Sequence, residues 1–132
     1  MEKFELQSFM GNFINKKHKT TQMKYNVGID IEKISRFEAR NKKFLDKIFT
    51  KKELKHSKNK NSIAGIFCAK EAVIKACSPF EKLNFDSIEI MHTKSGAPYA
   101  KLISKRIKNS NIKISISHSD DYATAFAIVI IP

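Results

Sequence analysis

Tryptophan is absent from this chain of 132 residues, and glycine, proline and cysteine are scarce, with four, three and two copies. So few glycines leave little scope for a glycine-rich phosphate-binding loop, and neither a P-loop nor a dinucleotide-binding turn occurs. Cys68 and Cys77 are nine residues apart on one predicted helix, so their side chains face differently and lie too far apart to bridge. They also lack the spacing of zinc ligands, and we therefore expect buried thiols in a reducing cytoplasm.

Long apolar runs are missing as well. No segment is long enough to cross a membrane, and the N-terminus lacks the uninterrupted apolar core of a signal peptide. Hydrophobic residues nonetheless make up 42% of the chain, which is enough for the core of one globular domain. These features predict a cytoplasmic protein with no membrane span.

Acidic residues are outnumbered by basic ones, 13 to 25, which gives a formal net charge of +12. A chain with this excess attracts anionic partners. Nucleic acid, an acidic protein, a phosphorylated small molecule and an anionic lipid surface all fit the charge equally well.

Residues 1–22 differ from the rest of the chain, because apolar residues at helical spacing are followed by a polar run. The apolar positions are Leu6, Phe9, Met10 and Phe13. An amphipathic helix that binds a membrane surface or a partner is one explanation. The favoured explanation is an appended segment upstream of a natural first residue at Met23. We therefore predict a non-catalytic extension over 1–22 and one domain over 23–132.

The apolar pattern predicts strands on either side of a helical middle. Helical periodicity over 63–77 predicts one long helix, and alternation over 25–31 predicts a strand that ends at Asp30. The other predicted elements are a helix over 32–40, a short helix over 44–48, a helical turn capped by Thr50 and Glu53, strands over 88–92, 99–102, 112–118 and 123–130, and a helical connection over 105–110. The expected class is α+β, with a small antiparallel sheet packed on the long helix plus short helices.

Two carboxylates, Asp30 and Glu71, stand in apolar surroundings. A buried charge is costly unless it meets a cation, a metal ion or a proton. Lys75 lies four residues after Glu71 on the same helical face, so a simple surface ion pair explains Glu71 by itself. Two hard oxygen ligands in a basic protein instead indicate a Mg²⁺ site that also holds a phosphate-bearing substrate. Glu32, two residues after Asp30, is a weaker third candidate.

Several basic side chains are candidates to neutralise substrate phosphates, although a solvated surface is the usual place for a lysine. These candidates are Lys58, Lys60, Lys70, Lys75 and His118. Lys75 has the stronger case because it shares a face with Glu71, whereas a structural role is the commoner one for a histidine such as His118. Neighbours in one strand and turn do not form a catalytic triad, so Ser117, His118 and Asp120 are not read as one.

Five short motifs follow one another between Lys24 and the C-terminus: Gly28–Ile31 with Arg36 beyond it, Phe49–Leu54, Phe67–Ala76, Lys94–Tyr99 and Ile114–Ser119. In this order they resemble the motifs of the holo-[acyl-carrier-protein] synthases, the small group of 4′-phosphopantetheinyl transferases. That family transfers 4′-phosphopantetheine from coenzyme A to a serine of an apo acyl carrier protein, supports fatty acid biosynthesis, and leaves adenosine 3′,5′-bisphosphate. The resemblance implies the 4′-phosphopantetheinyl transferase fold and a homotrimer with active sites at the subunit interfaces.

The resemblance also implies roles for individual residues in the coenzyme A site. Asp30 and Glu71 would hold Mg²⁺ against the coenzyme A pyrophosphate, and Lys75 would offset charge on the leaving bisphosphate. His118 and Ser119 would contact the adenosine end. The serine proton would go to a metal-bound water or to Glu71 itself, and both assignments stay open.

For the carrier protein, the helix with Arg36, and Arg40 and Lys43 nearby, would receive an acidic recognition helix. The net charge agrees with this role, since complementary charge speeds the encounter of two proteins.

The chain departs from the family pattern at three places. Ile66 stands where the family has a basic residue, so a phosphate contact there is either lost or replaced, and Lys58 and Lys60 are the candidates to replace it. Glu32 lies two residues after Asp30, as in the larger relatives, which is why we consider it as a third ligand. The segment 78–84 lacks the glycines common after the hallmark helix.

Two alternatives to the enzyme fit part of the sequence. A small basic nucleic-acid-binding domain fits the net charge, but the basic residues are scattered and are not interleaved with aromatic ones. A catalytically inactive subunit that only docks a carrier protein is a second alternative. The presence of Asp30, Glu71 and Lys75 together argues against it.

Overall fold

In the computed structural model, the structure describes residues 22–39 and 41–132. Nearly all of the predicted extension over 1–22, and Arg40, lie outside the described residues, so the boundary at Met23 stays a prediction. None of the helices within the described ranges is long and apolar enough to cross a membrane.

The described residues form strands and helices in the order β1, α1, α2, α3, β2, β3, β4, β5, with a 3₁₀ turn after β1 and another before β2. Their bounds are β1 Lys24–Lys33, the first 3₁₀ turn Ile34–Phe37, α1 Lys42–Ile48, α2 Lys51–His56, α3 Lys60–Cys77, the second 3₁₀ turn Phe85–Ser87, β2 Ile88–His92, β3 Pro98–Leu102, β4 Asn111–His118 and β5 Tyr122–Ile131.

The strands form two antiparallel sheets. The larger has the order β1-β5-β4, and the smaller is the β2-β3 hairpin. The hairpin turn contains Gly96 at φ 90°, in the left-handed region that favours glycine. One face of the larger sheet packs on α3, as expected. The predicted α+β class is therefore confirmed.

Small side chains bring α3 and β5 close together. Both elements present fully or almost fully buried alanines to the core, and alanine lets a helix backbone approach a sheet closely. These alanines are Ala64, Ala69, Ala72 and Ala76 on α3, and Ala123, Ala125 and Ala127 on β5. The central strand β5 thus packs closely against α3, and this packing fixes the position of the neighbouring strand β1.

The N-termini of α2 and α3 are both capped by side chains, and the cap of α2 is the one predicted from the sequence. The Thr50 hydroxyl accepts a hydrogen bond from the Glu53 amide, and the Glu53 carboxylate accepts one from the Thr50 amide, so the predicted capping box is present. The long helix begins after Asn59, whose side chain accepts a hydrogen bond from the Ser62 amide.

Two predicted helices are wrong. Over 32–40, Glu32 and Lys33 instead continue β1, because they pair with Ala123 and Tyr122 of β5 and extend the ladder. Only the 3₁₀ turn Ile34–Phe37 follows, and the strand does not end at Asp30. In place of the predicted helix over 105–110, residues 105–109 form bends and turns, and the Ser104 hydroxyl accepts a hydrogen bond from the Ile107 amide.

Candidate active site

The strand β1 turns its polar residues towards α3 and its apolar residues away from it. Gly28 makes the closest contact: a β-carbon there would lie 2.1 Å from the Ala72 carbonyl oxygen and 2.7 Å from the Ala76 amide nitrogen. Asn26, on the same face, donates to the Ala76 carbonyl at 3.0 Å. Asp30 is two residues beyond Gly28 and therefore also faces the helix.

Asp30 meets the last turns of α3. Its Oδ1 accepts a hydrogen bond from Lys75 Nζ at 3.2 Å, and the same ammonium donates to the Ile29 carbonyl at 2.9 Å. The other oxygen, Asp30 Oδ2, is buried and has no hydrogen-bond partner among the described residues. A buried carboxylate oxygen without a donor calls for one more cation or donor.

Glu71 lies near Asp30 and is half-buried. Burial, and next the negative charge of Asp30, raise the pKa of the Glu71 carboxyl, while Lys75 acts in the opposite direction. A carboxylate whose ionisation is hindered by a second negative charge favours a divalent cation beside it. Asp30 and Glu71, 41 positions apart in the chain, therefore interact electrostatically in the fold.

Glu32 forms an ion pair with Arg36, one turn further along the chain. Its charge also contributes to the raised pKa of Glu71, so Glu32 lies at the edge of the same cluster. Within residues 22–39 and 41–132, no group of three histidine, cysteine, aspartate or glutamate side chains is arranged to hold a metal ion. Because Mg²⁺ commonly takes one or two carboxylates and completes its shell with waters and phosphates, Asp30 and Glu71 fit it without Glu32.

His118 lies at the other end of α3. Its Nε2 is 3.0 Å from the Asn61 carbonyl oxygen, and because a carbonyl only accepts, Nε2 carries the hydrogen. Gly65 permits this approach, since a β-carbon there would lie 2.6 Å from His118 Nε2. The neighbouring Ser119 hydroxyl accepts a hydrogen bond from the Tyr122 amide and stabilises the turn between β4 and β5.

A cavity of about 210 Å³ opens between His118, Gly65 and Ile66. His56 and His92 line it too, and they also line a second cavity of about 480 Å³ together with Lys58. These two histidine rings are stacked, with centroids 4.4 Å apart.

The predicted phosphate-binding lysines have different surroundings. Lys58 lines the second cavity, whereas Lys60 is exposed and forms an ion pair with Glu38. Lys75 stands beside Asp30, as described above.

The expectation for Lys70 is wrong. Its side chain is fully buried, and its ammonium lies 2.9 Å from Glu53 Oε2 and donates to the Ile48 carbonyl at 2.6 Å. Glu53 Oε1 in turn accepts from the Ile90 amide. A group so enclosed has no access to a substrate, and it instead ties α3 to α2 and to the β2-β3 hairpin.

The residues predicted to bind a carrier protein lie on one stretch of chain after β1. Arg36 is in the 3₁₀ turn and Lys43 is exposed in the first turn of α1, while Arg40 lies outside the described residues.

Two features of the site were not predicted from the sequence. The pairing of His56 with His92 leaves no local signal, because 35 residues separate them and each ends a different element. The burial of Lys70, by contrast, has a local signal in the sequence. Lys70 lies three residues after Phe67 and three before Val73, on the apolar face of the predicted helix.

Comparison with known proteins identifies the superfamily to which this chain belongs. The family model described as the 4′-phosphopantetheinyl transferase superfamily matches residues 26–127, which is most of the chain. The chain therefore belongs to this superfamily, as the motif resemblance predicted, and it is an enzyme of the transferase class.

Within the superfamily, the similar curated proteins are holo-[acyl-carrier-protein] synthases. That of Caldicellulosiruptor saccharolyticus is 42% identical over 118 residues, which cover 80% of this chain and 96% of the relative. That of Clostridium kluyveri is 41% identical over 121 residues, which cover 81% and 90%.

Solved structures agree. The Helicobacter pylori holo-[acyl-carrier-protein] synthase in complex with coenzyme A matches with a TM-score of 0.70 and 34% identity, over 78% of this chain and 98% of that one. A Chronobacterium ammoniagenes ACPS–CoA complex matches with a TM-score of 0.72 and 27% identity, over 83% and 98%.

Proposed function

We propose that this chain transfers the 4′-phosphopantetheine group from coenzyme A to a serine of an apo acyl carrier protein, in a Mg²⁺-dependent reaction. The serine oxygen attacks the phosphorus next to pantetheine, and adenosine 3′,5′-bisphosphate leaves. The observation that carries the proposal is the Asp30 carboxylate, which has one oxygen beside Lys75 and the other buried without a partner, close to Glu71.

Asp30 and Glu71 are the residues that would hold Mg²⁺. When bound, the ion neutralises pyrophosphate charge and acidifies a coordinated water. Lys75 adds a positive charge beside Asp30, where negative charge accumulates on the leaving bisphosphate. The raised pKa of Glu71 makes its carboxylate a better proton acceptor than an ordinary glutamate, which keeps it a candidate for the serine proton.

Coenzyme A would lie along α3, with its pyrophosphate near Glu71 and its adenosine end near His118 and Ser119. Asn61 and Glu71 are ten residues apart on this helix, which corresponds to about 15 Å. Lys58 and Lys60, before and at the start of the helix, would add positive charge at the adenosine end.

The carrier protein would dock where Arg36, Arg40 and Lys43 follow β1. A basic surface next to the metal-binding carboxylates can hold an acidic helix while its serine reaches the phosphate. Fatty acid biosynthesis is the process that we propose this transfer supports, and the cytoplasm is its place. The free, buried thiols of Cys68 and Cys77 agree with a reducing compartment.

We further propose that the protein is a homotrimer with active sites between subunits. The outer face of β1 supports self-association, because Val27, Ile29 and Ile31 are exposed, the last two by 64% and 63%. Phe126, the β5 partner of Ile29, is exposed beside them. Ile29→Lys should convert trimers to monomers in light scattering after gel filtration, whereas Lys108→Ala should not; a wild-type monomer contradicts this proposal.

The direct test is a transfer assay. Purified protein, coenzyme A, Mg²⁺ and an apo acyl carrier protein should yield a carrier heavier by one phosphopantetheine group in mass spectrometry. The carrier serine replaced by alanine is the control and should gain no mass. Absence of transfer with a carrier that a known synthase modifies would overturn the proposal, and salt-sensitive binding of DNA or RNA without transfer would support a nucleic-acid-binding role instead.

A further inference from the structure

An ion pair between Glu32 and Arg36 connects the candidate metal site with the surface proposed to receive the carrier protein. Glu32 shares a face of β1 with Gly28 and Asp30, because side chains two residues apart in a strand point the same way. That face packs on α3. Arg36 lies in the 3₁₀ turn after β1 and is one of the basic residues proposed to hold an acidic helix. The pair therefore joins two sites that the proposed function uses together.

The two partners of this ion pair differ in their exposure to solvent. The Arg36 side chain is 48% exposed, whereas that of Glu32 is only 14% exposed. Exposed ion pairs contribute little to stability, so an incoming carboxylate can take the place of Glu32. Departure of the guanidinium leaves the Glu32 carboxylate partly desolvated and without this partner. A carboxylate in that position is costly until another cation approaches it.

The backbone that carries Arg36 is held in place, so only the side chain has to move. The Ile34 amide donates to the Asp121 carbonyl at 2.8 Å, and both Ile34 and Phe37 are buried. The Phe37 ring also packs on Phe67 of α3, with centroids 5.3 Å apart. A guanidinium on such an anchored turn can exchange one carboxylate for another by a change of rotamer.

Exchange at Arg36 changes the charge around the candidate metal site. This site contains the carboxylates of Asp30, Glu32 and Glu71 and two basic side chains, Lys75 and Arg36. Besides the larger effects of burial, Asp30 and Lys75, the charge of Glu32 raises the pKa of Glu71 and that of Arg36 lowers it. Both charges therefore reach the site. Departure of Arg36 leaves one more negative charge there, and a divalent cation is attracted more strongly as a result.

We infer that Glu32 is a positioning residue that couples the two sites: an acidic carrier helix takes Arg36 from Glu32, and the released carboxylate raises the affinity of the site at Asp30 and Glu71 for its divalent cation. This inference rests on the proposed function. The cation must favour carrier binding to the same extent, because a coupling free energy is shared by both ligands. The cation is thus held most tightly when the acceptor serine is present.

The test measures cation binding in the absence of turnover. Mn²⁺ replaces Mg²⁺, since free Mn²⁺ is measured by electron paramagnetic resonance, and the carrier has its serine replaced by alanine. Coenzyme A is present at the same concentration in every titration. The carrier should lower the Kd of the wild-type protein for Mn²⁺ by about fivefold, and Mn²⁺ should lower the Kd for the carrier by the same factor.

Glu32→Gln removes the charge and keeps the shape of the side chain. The coupling should vanish, so that the carrier changes the Kd for Mn²⁺ by less than about 1.5-fold. Because Arg36 loses its internal competitor, the variant should also bind the carrier about threefold more tightly than the wild type when no cation is present. Glu38→Gln is the matched control, since Glu38 is an exposed acid on the same stretch that pairs with Lys60, and it should keep the wild-type coupling.

Arg36→Gln tests the same exchange from the other side. Without the carrier, this variant should bind Mn²⁺ about fivefold more tightly than the wild type, whereas in the Glu32→Gln background the same substitution should change the Kd by less than about twofold. Lys33→Gln removes a neighbouring exposed positive charge on the opposite face of β1. Its effect on the Kd for Mn²⁺ should also stay below about twofold, which separates loss of the ion pair from loss of positive charge.

Several results overturn the inference and leave the proposed function intact if transfer to an unmodified carrier proceeds. One is equal affinity of the wild-type protein for Mn²⁺ with and without the carrier, a measurement that does not depend on the folding of any variant. Another is coupling that survives Glu32→Gln, or carrier binding that is unchanged or weaker in that variant. Absence of both Mn²⁺ binding and transfer would overturn the proposed function and this inference together.

Discussion

The Lys75 ammonium lies 3.2 Å from Oδ1 of Asp30, while Oδ2 of the same carboxylate is buried and has no hydrogen-bond partner among the described residues. One oxygen is thus paired with a cation of the protein, whereas the other has no donor among the described residues. Because the charge of Asp30 also raises the pKa of Glu71, this relationship between Asp30 and Lys75 lies at the centre of the candidate metal site.

Removal of one carboxylate charge should therefore abolish transfer. We expect Asp30→Asn and Glu71→Gln each to lower kcat/KM by about 100-fold or more, which corresponds to about 3 kcal/mol of lost charge stabilisation. Asp86→Asn, on an exposed turn, is the charge-matched control and should keep the wild-type rate. Chelation of Mg²⁺ should stop the wild-type enzyme, and a near-normal rate in either site variant would remove that residue from the metal site.

Glu71→Gln should also stabilise the metal-free protein at neutral pH. The pKa of Glu71 is raised in the folded state, so its contribution to stability is present below the ordinary glutamate pKa and is lost as pH rises through the folded pKa. At about pH 7 the ionised wild-type side chain is therefore unfavourable, and the variant should melt at a higher temperature in a chelating buffer. The difference in Tm should shrink as the pH approaches the ordinary glutamate range.

Glu81 provides a control of opposite sign. A hydrogen bond from the Ser104 hydroxyl, as the largest cause, lowers the pKa of Glu81, so its stabilisation is present above the ordinary glutamate pKa and is lost as pH falls through the folded value. Glu81→Gln should accordingly lower Tm at neutral pH. Equal shifts of the same sign in the two variants would contradict the assignment for Glu71.

Gly28→Ala tests the close contact of β1 with α3. The added methyl group would lie 2.1 Å from the Ala72 carbonyl oxygen, so the backbone must move, and we expect a loss of about 3 kcal/mol in the free energy of unfolding. Gly96→Ala meets no atom within 4 Å and has only the strain of its positive φ, about 1 kcal/mol. Urea denaturation of both variants measures the difference, and equal losses would contradict a steric role for Gly28.

Lys70→Met tests the buried ion pair. The substitution leaves Glu53 buried without its cation, which should cost about 3–5 kcal/mol in urea denaturation. Adding Glu53→Gln should recover part of this loss, because a neutral amide oxygen still accepts the Ile90 N–H without a buried charge. Lys82→Met, an exposed control, should change stability by less than about 0.5 kcal/mol. A double variant weaker than Lys70→Met alone would contradict this account.

Arg36→Glu tests the carrier-binding surface. Reversal of this charge places a carboxylate opposite an acidic helix, so KM for the carrier protein should rise by about tenfold, or about 1.4 kcal/mol. KM for coenzyme A should change by less than about twofold, since the predicted nucleotide path follows α3. Lys108→Glu is the matched charge reversal at a remote exposed site, and a similar rise there would indicate an effect of net charge alone.

Prediction from the sequence succeeded where the signal is local or periodic. The apolar period of α3 and the capping box of Thr50 and Glu53 need only neighbouring residues, and both are present in the fold. Prediction failed over 32–40, where the helical spacing of Ile34 and Phe37 competes with strand pairing to β5. A partner strand some 90 residues away supplies that pairing, so no local pattern reveals it.

The sequence by itself determined the α+β class and the family, and it predicted Asp30, Glu71 and Lys75 as one chemical set, because ordered motifs and a carboxylate in an apolar helix are readable along the chain. Tertiary structure alone decided how that set is arranged. In the folded chain, Lys75 forms an ion pair with Asp30 and does not merely follow Glu71 on the helix. Lys70 is buried in the core, and the His56 ring stacks on the His92 ring. These outcomes depend on burial and on distances between remote elements, which only the packed chain defines.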